Sequence, residues 1–279
     1  MKGKRDETPE ERELRKQHNR YRRTCVYGGL FLALWGFIQW QPWEYDLIRR
    51  KPPQPHSMID PDSARLFAPG TRVVVVTAHP DDSEFYIGGT LLKLAEAGAE
   101  LYHIVVTDGD KGYYFWEDAD KNRRIRRAEQ IEASSTWRAR EVIFMKYPDG
   151  RLRVSDRLVE KLTEQLIRLK PDYVLSFDGD YPPRMSHQDH RRSGDAIEKA
   201  IRDVPSARWL LRFSTSAPNY VVEMEKYWER KKALLAVHKS QFFGERLIRV
   251  TNMVASRGEE DGELIEANMG EGFRCTKLR

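Results

Sequence analysis

Runs of apolar residues alternate with helix-like segments through the middle of the chain. The first run, RVVVVT at 72–77, is followed by ELYHIVVT, EVIFMKY and DYVLSF. A segment with helical periodicity comes after each run, at 88–97, 121–137, 155–169 and 192–202. Near-continuous apolar strands are typical of sheets buried on both faces, and repeated strand-then-helix units indicate parallel strands covered by helices. The pattern therefore predicts an α/β fold with a mainly parallel sheet.

A different pattern occupies the first 70 residues. Residues 24–43 contain no charged side chain, and about 20 apolar residues are enough for a helix to cross a bilayer. We predict a basic arm at 1–23, a transmembrane anchor at 24–43, a proline-rich linker at 44–70 and one main domain at 71–279. A buried core helix and a cleaved signal peptide are the alternatives, although no small-residue cleavage site follows the apolar run.

The charges that flank this run predict its orientation. Basic residues are denser before it than after it, which favours an N-terminus inside the cytoplasm and a domain on the non-cytoplasmic side. The formal net charge is +5, and much of the excess lies in the basic arm. Because the arm adjoins an apolar span, membrane lipid head groups explain its charge better than nucleic acid does, and we predict no nucleic-acid partner.

Polar residues gather directly after the predicted strands. His79, Asp81 and Asp82 follow the first strand, and the stretch SHQDH, with His187 and His190, follows the fourth. The carboxyl ends of parallel strands meet at one edge of a sheet, where ligands bind. The chain has only two cysteines, far apart, so a metal here would need histidine and carboxylate ligands.

Two imidazoles and one carboxylate suit zinc, and three protein ligands leave a position for water. His79 and Asp82 supply two ligands in this hypothesis, and SHQDH supplies the third. Neighbouring carboxylates repel each other unless a cation or a proton lies between them, and Asp81 would be free to take a proton from water. The alternative is structural, because acids before a helix are ordinary caps and the histidines of SHQDH could lie on the surface.

The stretches AHPDDSEFYIGGTL and SHQDH resemble the LmbE-like or PIG-L family of zinc-dependent de-N-acetylases, which act on N-acetylglucosamine units. The resemblance covers 72–273 and includes TDGDKG, RRAEQIEA, YPDG, HKSQ and GEGF. It implies a Rossmann-like three-layer fold, Zn²⁺ as cofactor with Fe²⁺ or Co²⁺ as alternatives, and an N-acetylated amino-sugar substrate. Some family members carry an anchor and face the cytosol, so the cytoplasmic face is the alternative location.

The resemblance also implies roles for individual residues. The metal ligands would be His79, Asp82 and His190, with Asp81 as the general base. His187 would polarise the substrate carbonyl or protonate the leaving amine, and Asp189 would orient a histidine.

Two further residues would contact the sugar in this scheme, Arg126 and Asp149. Each has a plain alternative, an ion pair between Arg126 and Glu129 on one helix face and a Pro-Asp-Gly turn at Asp149. Trp137 and Arg138 stand where the family usually has Leu-Gly, so the end of that helix must differ.

The hypothesis from the sequence is a membrane-anchored, zinc-dependent hydrolase that removes the N-acetyl group from an N-acetylglucosamine-containing glycan, glycolipid or glycoconjugate. An amidase that acts on another N-acyl amine is one alternative, because the metal chemistry requires only the amide. A non-catalytic glycan-binding module is the other, although such a module has no need of Asp81.

Overall fold

The computed structural model describes residues 57–112, 118–181 and 187–279. The predicted arm and anchor, 1–23 and 24–43, lie outside these residues, and the anchor stays a prediction. None of the helices in the described part of the chain combines the length and the apolar character that a membrane span requires.

The described residues form seven strands and seven α-helices, joined by loops. The strands are β1 Arg72–Thr77, β2 Glu100–Thr107, β3 Ala139–Tyr147, β4 Tyr173–Phe177, β5 Trp209–Phe213, β6 Tyr220–Glu223 and β7 Gly270–Lys277. The helices are α1 Ser63–Leu66, α2 Asp82–Glu96, α3 Ala119–Thr136, α4 Asp156–Leu169, α5 Gln188–Ala200, α6 Trp228–Val237 and α7 Gly244–Glu263.

All seven strands join in one sheet with the order β3-β2-β1-β4-β5-β7-β6. The first five pair in parallel, and β7 lies antiparallel to both of its neighbours. The prediction of an α/β fold with a mainly parallel sheet is therefore confirmed. The fifth parallel strand, β5, and the antiparallel edge formed by β6 and β7 were not predicted.

The four valines of β1 explain why this strand is apolar throughout. Val73 and Val75 belong to one buried cluster, and Val74 and Val76 belong to a second one. Successive side chains of a strand point to opposite faces, so each pair serves a different helix layer. Helix α4 packs on the second face through Leu158, Leu162 and Leu166. The arrangement is the predicted three-layer one.

Helix α2 starts at Asp82, whereas the sequence pattern predicted a start at residue 88. The helix is kinked at Ile87, where φ is −133° and ψ is 23°. After the kink, the backbone N–H groups of Gly89 and Thr90 donate to the Glu271 carboxylate at 2.9 and 2.6 Å. Lys231 donates to the same carboxylate at 2.6 Å. Glu271 thus caps the second half of α2, and the extra first turn presents Asp82 at the sheet edge.

Part of the predicted linker packs on the domain. Leu66 of α1 is fully buried, and the Ile59 N–H donates to the Asn219 carbonyl at 2.8 Å. The Tyr173 hydroxyl donates to the Pro61 carbonyl at 3.1 Å. The proline-rich composition did not predict this packing or the short helix.

Helix α3 ends without the expected Leu-Gly pair. Trp137 is fully buried, and its indole N–H donates to Glu84 Oε1 at 2.8 Å. Arg138, which is exposed, takes the left-handed conformation with φ 59°. A residue with a Cβ pays about 1–2 kcal/mol for that conformation, which glycine adopts freely.

We expect Arg138→Gly to raise the free energy of unfolding by about 1 kcal/mol, because glycine relieves the strain but adds freedom to the unfolded chain. The midpoint of thermal unfolding should rise by about 2–4 °C. Arg140→Gly, also exposed but inside β3, is the control and should lower the free energy by about 0.5–1 kcal/mol. Equal losses for both variants would contradict the strain.

Candidate active site

The two segments that carry the predicted site residues, after β1 and after β4, lie together at the carboxyl ends of these strands, as predicted. These strands are neighbours, and the chain leaves β1 towards β2 on one side while β4 and β5 extend the sheet on the other. Such a switch point in strand order opens a crevice for ligands. The loop after β1 carries His79, Asp81 and Asp82, and α5 begins after His187 and carries His190.

Three of the predicted ligand atoms converge here. His79 Nδ1 lies 3.2 Å from His190 Nε2 and 3.5 Å from Asp82 Oδ2. His190 Nε2 lies 3.1 Å from Asp82 Oδ1. Ligands bound at about 2.0–2.1 Å to a tetrahedral zinc ion are about 3.3–3.4 Å apart. The donor set therefore fits a zinc ion in both chemistry and spacing.

The other nitrogen of His79 faces two carboxylates. Its Nε2 lies 3.0 Å from Asp149 Oδ1 and 3.4 Å from Asp189 Oδ2. Backbone N–H groups hold both acids in place, that of Lys111 on Asp149 and that of Gly150 on Asp189. A metal-binding histidine usually donates its second N–H to such a carboxylate, which fixes its tautomer and orientation.

These contacts bear on the predicted roles of Asp149 and Asp189. Both oxygens of Asp149 are engaged inside the protein, so its contacts favour orientation of His79 over the predicted sugar contact. Asp189 lies beside a histidine as predicted, and that histidine is His79.

Two other groupings have ligand atoms within 4.8 Å of one another, His79 with His187 and His190, and His79 with Asp149 and Asp189. The predicted set shares His79 with both groupings and His190 with the first of them.

The electrostatics of the site favour the binding of a cation. Burial alone would raise the pKa of Asp82, yet the charges and hydrogen bonds of His190 and His79 lower that pKa well below its usual range. Burial likewise opposes charge on His79, but Asp149, Asp189 and Asp82 raise its pKa well above the ordinary value. An excess of carboxylates around two imidazoles is what a bound cation would balance.

Asp81 is held beside the donors rather than among them. Its backbone N–H donates to Gln130 Oε1 at 2.8 Å, and Arg126 Nη2 donates to its Oδ2 at 3.0 Å. Its φ of 104° is outside the range that most residues adopt. Burial raises the pKa of Asp81, the charge of Asp82 raises it further, and Arg126 opposes both. A carboxylate with a raised pKa is suited to accept a proton.

Arg126 clamps the loops around Asp81. Its guanidinium also donates to the carbonyl oxygens of Gly109 and Pro80, each at 2.6 Å. The alternative ion pair with Glu129 does not form, because Glu129 accepts from the N–H and the hydroxyl of Ser240. The buried guanidinium thus positions Asp81, and the predicted contact of Arg126 with the sugar stays a prediction.

A buried polar network lies beneath Asp81. Gln130, which holds the Asp81 N–H, donates from Nε2 to Glu84 at 3.1 Å. Glu84 also pairs with His238 Nε2 at 3.0 Å, and both side chains are almost fully buried. The sequence contained Glu84, Gln130 and His238 in the AHPDDSEFYIGGTL, RRAEQIEA and HKSQ motifs respectively, but nothing in those motifs assigned them a partner.

The Glu84 and His238 pair predicts a pH effect. Burial would lower the pKa of His238, but the hydrogen bond and charge of Glu84 raise it above 6.5. At a pH below the ordinary value of 6.5, the protonated His238 ring therefore stabilises the fold. This contribution to the free energy of unfolding is lost as the pH rises through the pKa of His238 in the folded state. We expect Glu84→Gln to lower the pKa of His238, because the ring loses the hydrogen bond and the charge that oppose the effect of burial. NMR titration of the ring measures it.

The matched control is Glu141→Gln, which removes a surface pair with Arg168 at 2.9 Å and should leave the pKa of His238 unchanged. An unaltered His238 titration in Glu84→Gln would show that the pair does not determine the charge of this ring.

His187 faces the site from the start of α5. The Asp189 N–H donates to its Nδ1 at 3.2 Å, so a neutral ring carries its proton on Nε2. Desolvation by the surrounding atoms lowers the pKa of His187 to about 4, although the residue is exposed at the mouth of the pocket, and the charges of His79 and His190 act in the same direction. At neutral pH the ring is therefore a hydrogen-bond donor through Nε2.

Known proteins resemble this chain across the same region. Residues 74–201 match the profile of the PIG-L family, described as GlcNAc-PI de-N-acetylase. A probable N-acetyl-alpha-D-glucosaminyl L-malate deacetylase 2 of Bacillus anthracis is 26% identical over 209 residues, covering 68% of this chain and 87% of the relative. The diacetylchitobiose deacetylase of Thermococcus kodakarensis is 24% identical over 188 residues, covering 61% and 70%.

Solved structures agree with these matches. The N,N'-diacetylchitobiose deacetylase from Pyrococcus horikoshii, complexed with an inhibitor, superposes with a TM-score of 0.70 at 28% identity. The superposition covers 74% of this chain and 84% of that one. The profile, the relatives and the shared architecture agree with the resemblance that the AHPDD and SHQDH motifs indicated. Residues 74–201 of the chain thus match the deacetylase domain of the PIG-L family, whose members are metal-dependent de-N-acetylases.

Proposed function

We propose that the chain is a zinc-dependent hydrolase that removes the acetyl group from an N-acetylglucosamine unit of a glycan, glycolipid or glycoconjugate. The carrying observation is the set of three donor side chains, His79, Asp82 and His190, whose facing atoms lie 3.1–3.5 Å apart with Asp81 beside them. They line an open pocket of about 210 Å³ that also includes His187. The relatives named above act on different compounds, and N-acetylglucosamine is the part that their names share.

In this proposal, His79, Asp82 and His190 hold the metal. A zinc ion bound there would lower the pKa of a water molecule to about 7 and polarise the amide carbonyl. Asp81 takes a proton from that water, and Arg126 and Gln130 keep its carboxylate in position. The geometry and the raised pKa of Asp81 support this role.

His187 donates a hydrogen bond from Nε2 to the amide oxygen, where negative charge develops. The water oxygen bonds to the acyl carbon, and the bond from that carbon to nitrogen breaks. The proton that Asp81 accepted passes to the amine nitrogen. Acetic acid and the free amino sugar are the products, and Asp81 regains its charge. A largely neutral His187 favours the polarising role over protonation of the amine.

Membrane attachment is a separate part of the proposal. The uncharged run at 24–43 would tether the domain to a membrane, with the non-cytoplasmic side favoured by the flanking charges and the cytoplasmic face as alternative. Labelling of single introduced cysteines, before and after the run, with a membrane-impermeant reagent would determine the orientation.

The test is acetate release by the full-length chain, loaded with zinc, from N-acetylglucosamine glycosides and from N-acetylated amino acids. We expect release from the sugars that a chelator abolishes and zinc restores. Release from the amino acids alone would favour the general amidase. Glycan binding that persists in chelator without acetate release under any metal would favour the non-catalytic module.

A further inference from the structure

A cleft of about 530 Å³ adjoins the pocket that contains the metal donors. Phe85 and Tyr86, in the first turn of α2, line both spaces. The Tyr86 ring lies edge-on to the His190 ring with 5.7 Å between centroids, and it stacks on Phe213 at 5.8 Å. A substrate whose acetamide group reaches His190 therefore has the cleft directly beside it.

The cleft is larger than one acetamido sugar requires. Pockets of about 300–1,000 Å³ enclose ligands of several rings, whereas the donor pocket measures about 210 Å³. Part of the lining is apolar, with Phe85, Phe213 and, from α7, Met253 and Val254. Aromatic rings of this kind offer flat apolar faces on which sugar rings stack.

The charged groups of the cleft already pair with one another. Lys231 lies 2.6 Å from Glu271, and each side chain is only 2% exposed. Arg257 lies 3.3 Å from Asp261 and 3.8 Å from Glu260. Among the described residues that line the cleft, two cations thus face three carboxylates.

The pairing of both cations and the excess of one carboxylate disfavour an acidic ligand. An incoming carboxylate or phosphate would meet net negative charge, and it would have to compete with the carboxylates that already pair with Lys231 and Arg257. A neutral hydroxylated ring can instead stack on the aromatic residues of the lining and hydrogen-bond to the carboxylates without displacing either cation.

We propose that the cleft binds a second, electrically neutral sugar unit of the substrate. The inference rests on the proposed function, because it places the acetamide of the first unit at the metal donors. The substrate is then an N-acetylglucosamine unit linked to a neutral sugar, in preference to a single unit or to a unit linked to an acidic group.

Three probes test this, each with one acetyl group: methyl N-acetylglucosaminide, N-acetylglucosamine β-linked to glucose, and N-acetylglucosamine β-linked to glucuronic acid. The full-length, zinc-loaded chain is assayed for acetate. We expect kcat/KM for the neutral disaccharide to be about tenfold or more above kcat/KM for the methyl glycoside. It should exceed kcat/KM for the acidic disaccharide by a similar factor.

A variant pair ties this preference to the cleft. Ser256 is exposed and lines the cleft, so Ser256→Trp would fill it. Asn252 is exposed one turn earlier on α7 and is not among the described residues that line the cleft, so Asn252→Trp is the control. We expect the ratio of kcat/KM between neutral disaccharide and methyl glycoside to fall close to one in Ser256→Trp and to stay unchanged in Asn252→Trp.

Equal kcat/KM for the methyl glycoside and the neutral disaccharide in the unmodified chain, or a preference for the acidic disaccharide, would overturn the inference and leave the proposed function standing. So would an unchanged ratio in Ser256→Trp. An absence of acetate from all three probes would overturn the proposed function itself, and this inference with it.

Discussion

Asp81→Asn is expected to lower kcat by a factor of about 10²–10⁴, the usual contribution of a positioned general base. The amide keeps the size of the carboxylate but cannot take a proton from water. The variant should retain its metal, because Asp81 lies beside the converging donor atoms and is held by Arg126 and Gln130. Measurements of acetate release and of zinc content by elemental analysis separate the two effects.

The backbone of Asp81 requires a control of its own, because asparagine and aspartate tolerate left-handed conformations to different degrees. Asp62 also has a positive φ, at 59°, and is exposed. Asp62→Asn should leave kcat unchanged. An Asp81→Asn variant with full activity would mean that some other group accepts the proton.

The second large effect concerns the metal. His190→Gln or Asp82→Asn should reduce zinc affinity by about 100-fold or more, since binding energies of about 10–16 kcal/mol for four-ligand sites imply about 3 kcal/mol per ligand. Activity should fall with zinc content. Elemental analysis of the full-length chain, after dialysis against a weak chelator, measures the loss.

His187→Gln is the informative comparison, because the His187 ring lies 5.4 Å from the His190 ring in the same pocket. In our assignment it loses activity but keeps about one zinc per chain. Loss of zinc from His187→Gln, with zinc retained in Asp82→Asn, would replace the assigned ligands by the group of three histidines. Circular dichroism shows whether each variant is folded.

The parallel half of the fold can be predicted from the chain because local pattern and tertiary environment agree there. Val73 to Val76 form a strand that is apolar on both sides, and such a strand needs a helix layer on each face. The predicted positions of β1 to β4 follow from this. Strand β7 lacks that signature, since it includes two glycines and several charged residues within Gly270–Lys277.

Pairing with neighbours makes β7 a strand. Its backbone bonds to β5 on one side and to β6 on the other, and no local preference of its sequence predicts either partner. The kink in α2 has the same origin. The carboxylate that caps Gly89 and Thr90 belongs to Glu271, far along the chain, so the helix boundary depends on a contact that only the folded chain makes.

The candidate site divides in a similar way. The order of the AHPDD and SHQDH motifs, each just past a strand, was enough to bring His79, Asp82 and His190 to one edge of the sheet. The supporting residues were not predictable in their roles. Glu84, Gln130 and His238 are polar residues that could have been solvated, and only burial beneath Asp81 turns them into a connected network.

The sequence by itself determined the layer architecture, the edge of the sheet where chemistry occurs and the types of donor atom present there, because periodicity and strand ends are local properties. The tertiary structure alone decided which nitrogen of His79 faces the other donors, that Arg126 serves Asp81, and that a cleft with paired charges adjoins the site. Those features depend on distances of about 3 Å between side chains remote in the chain, and hydrogen bonds and ion pairs form only at such distances.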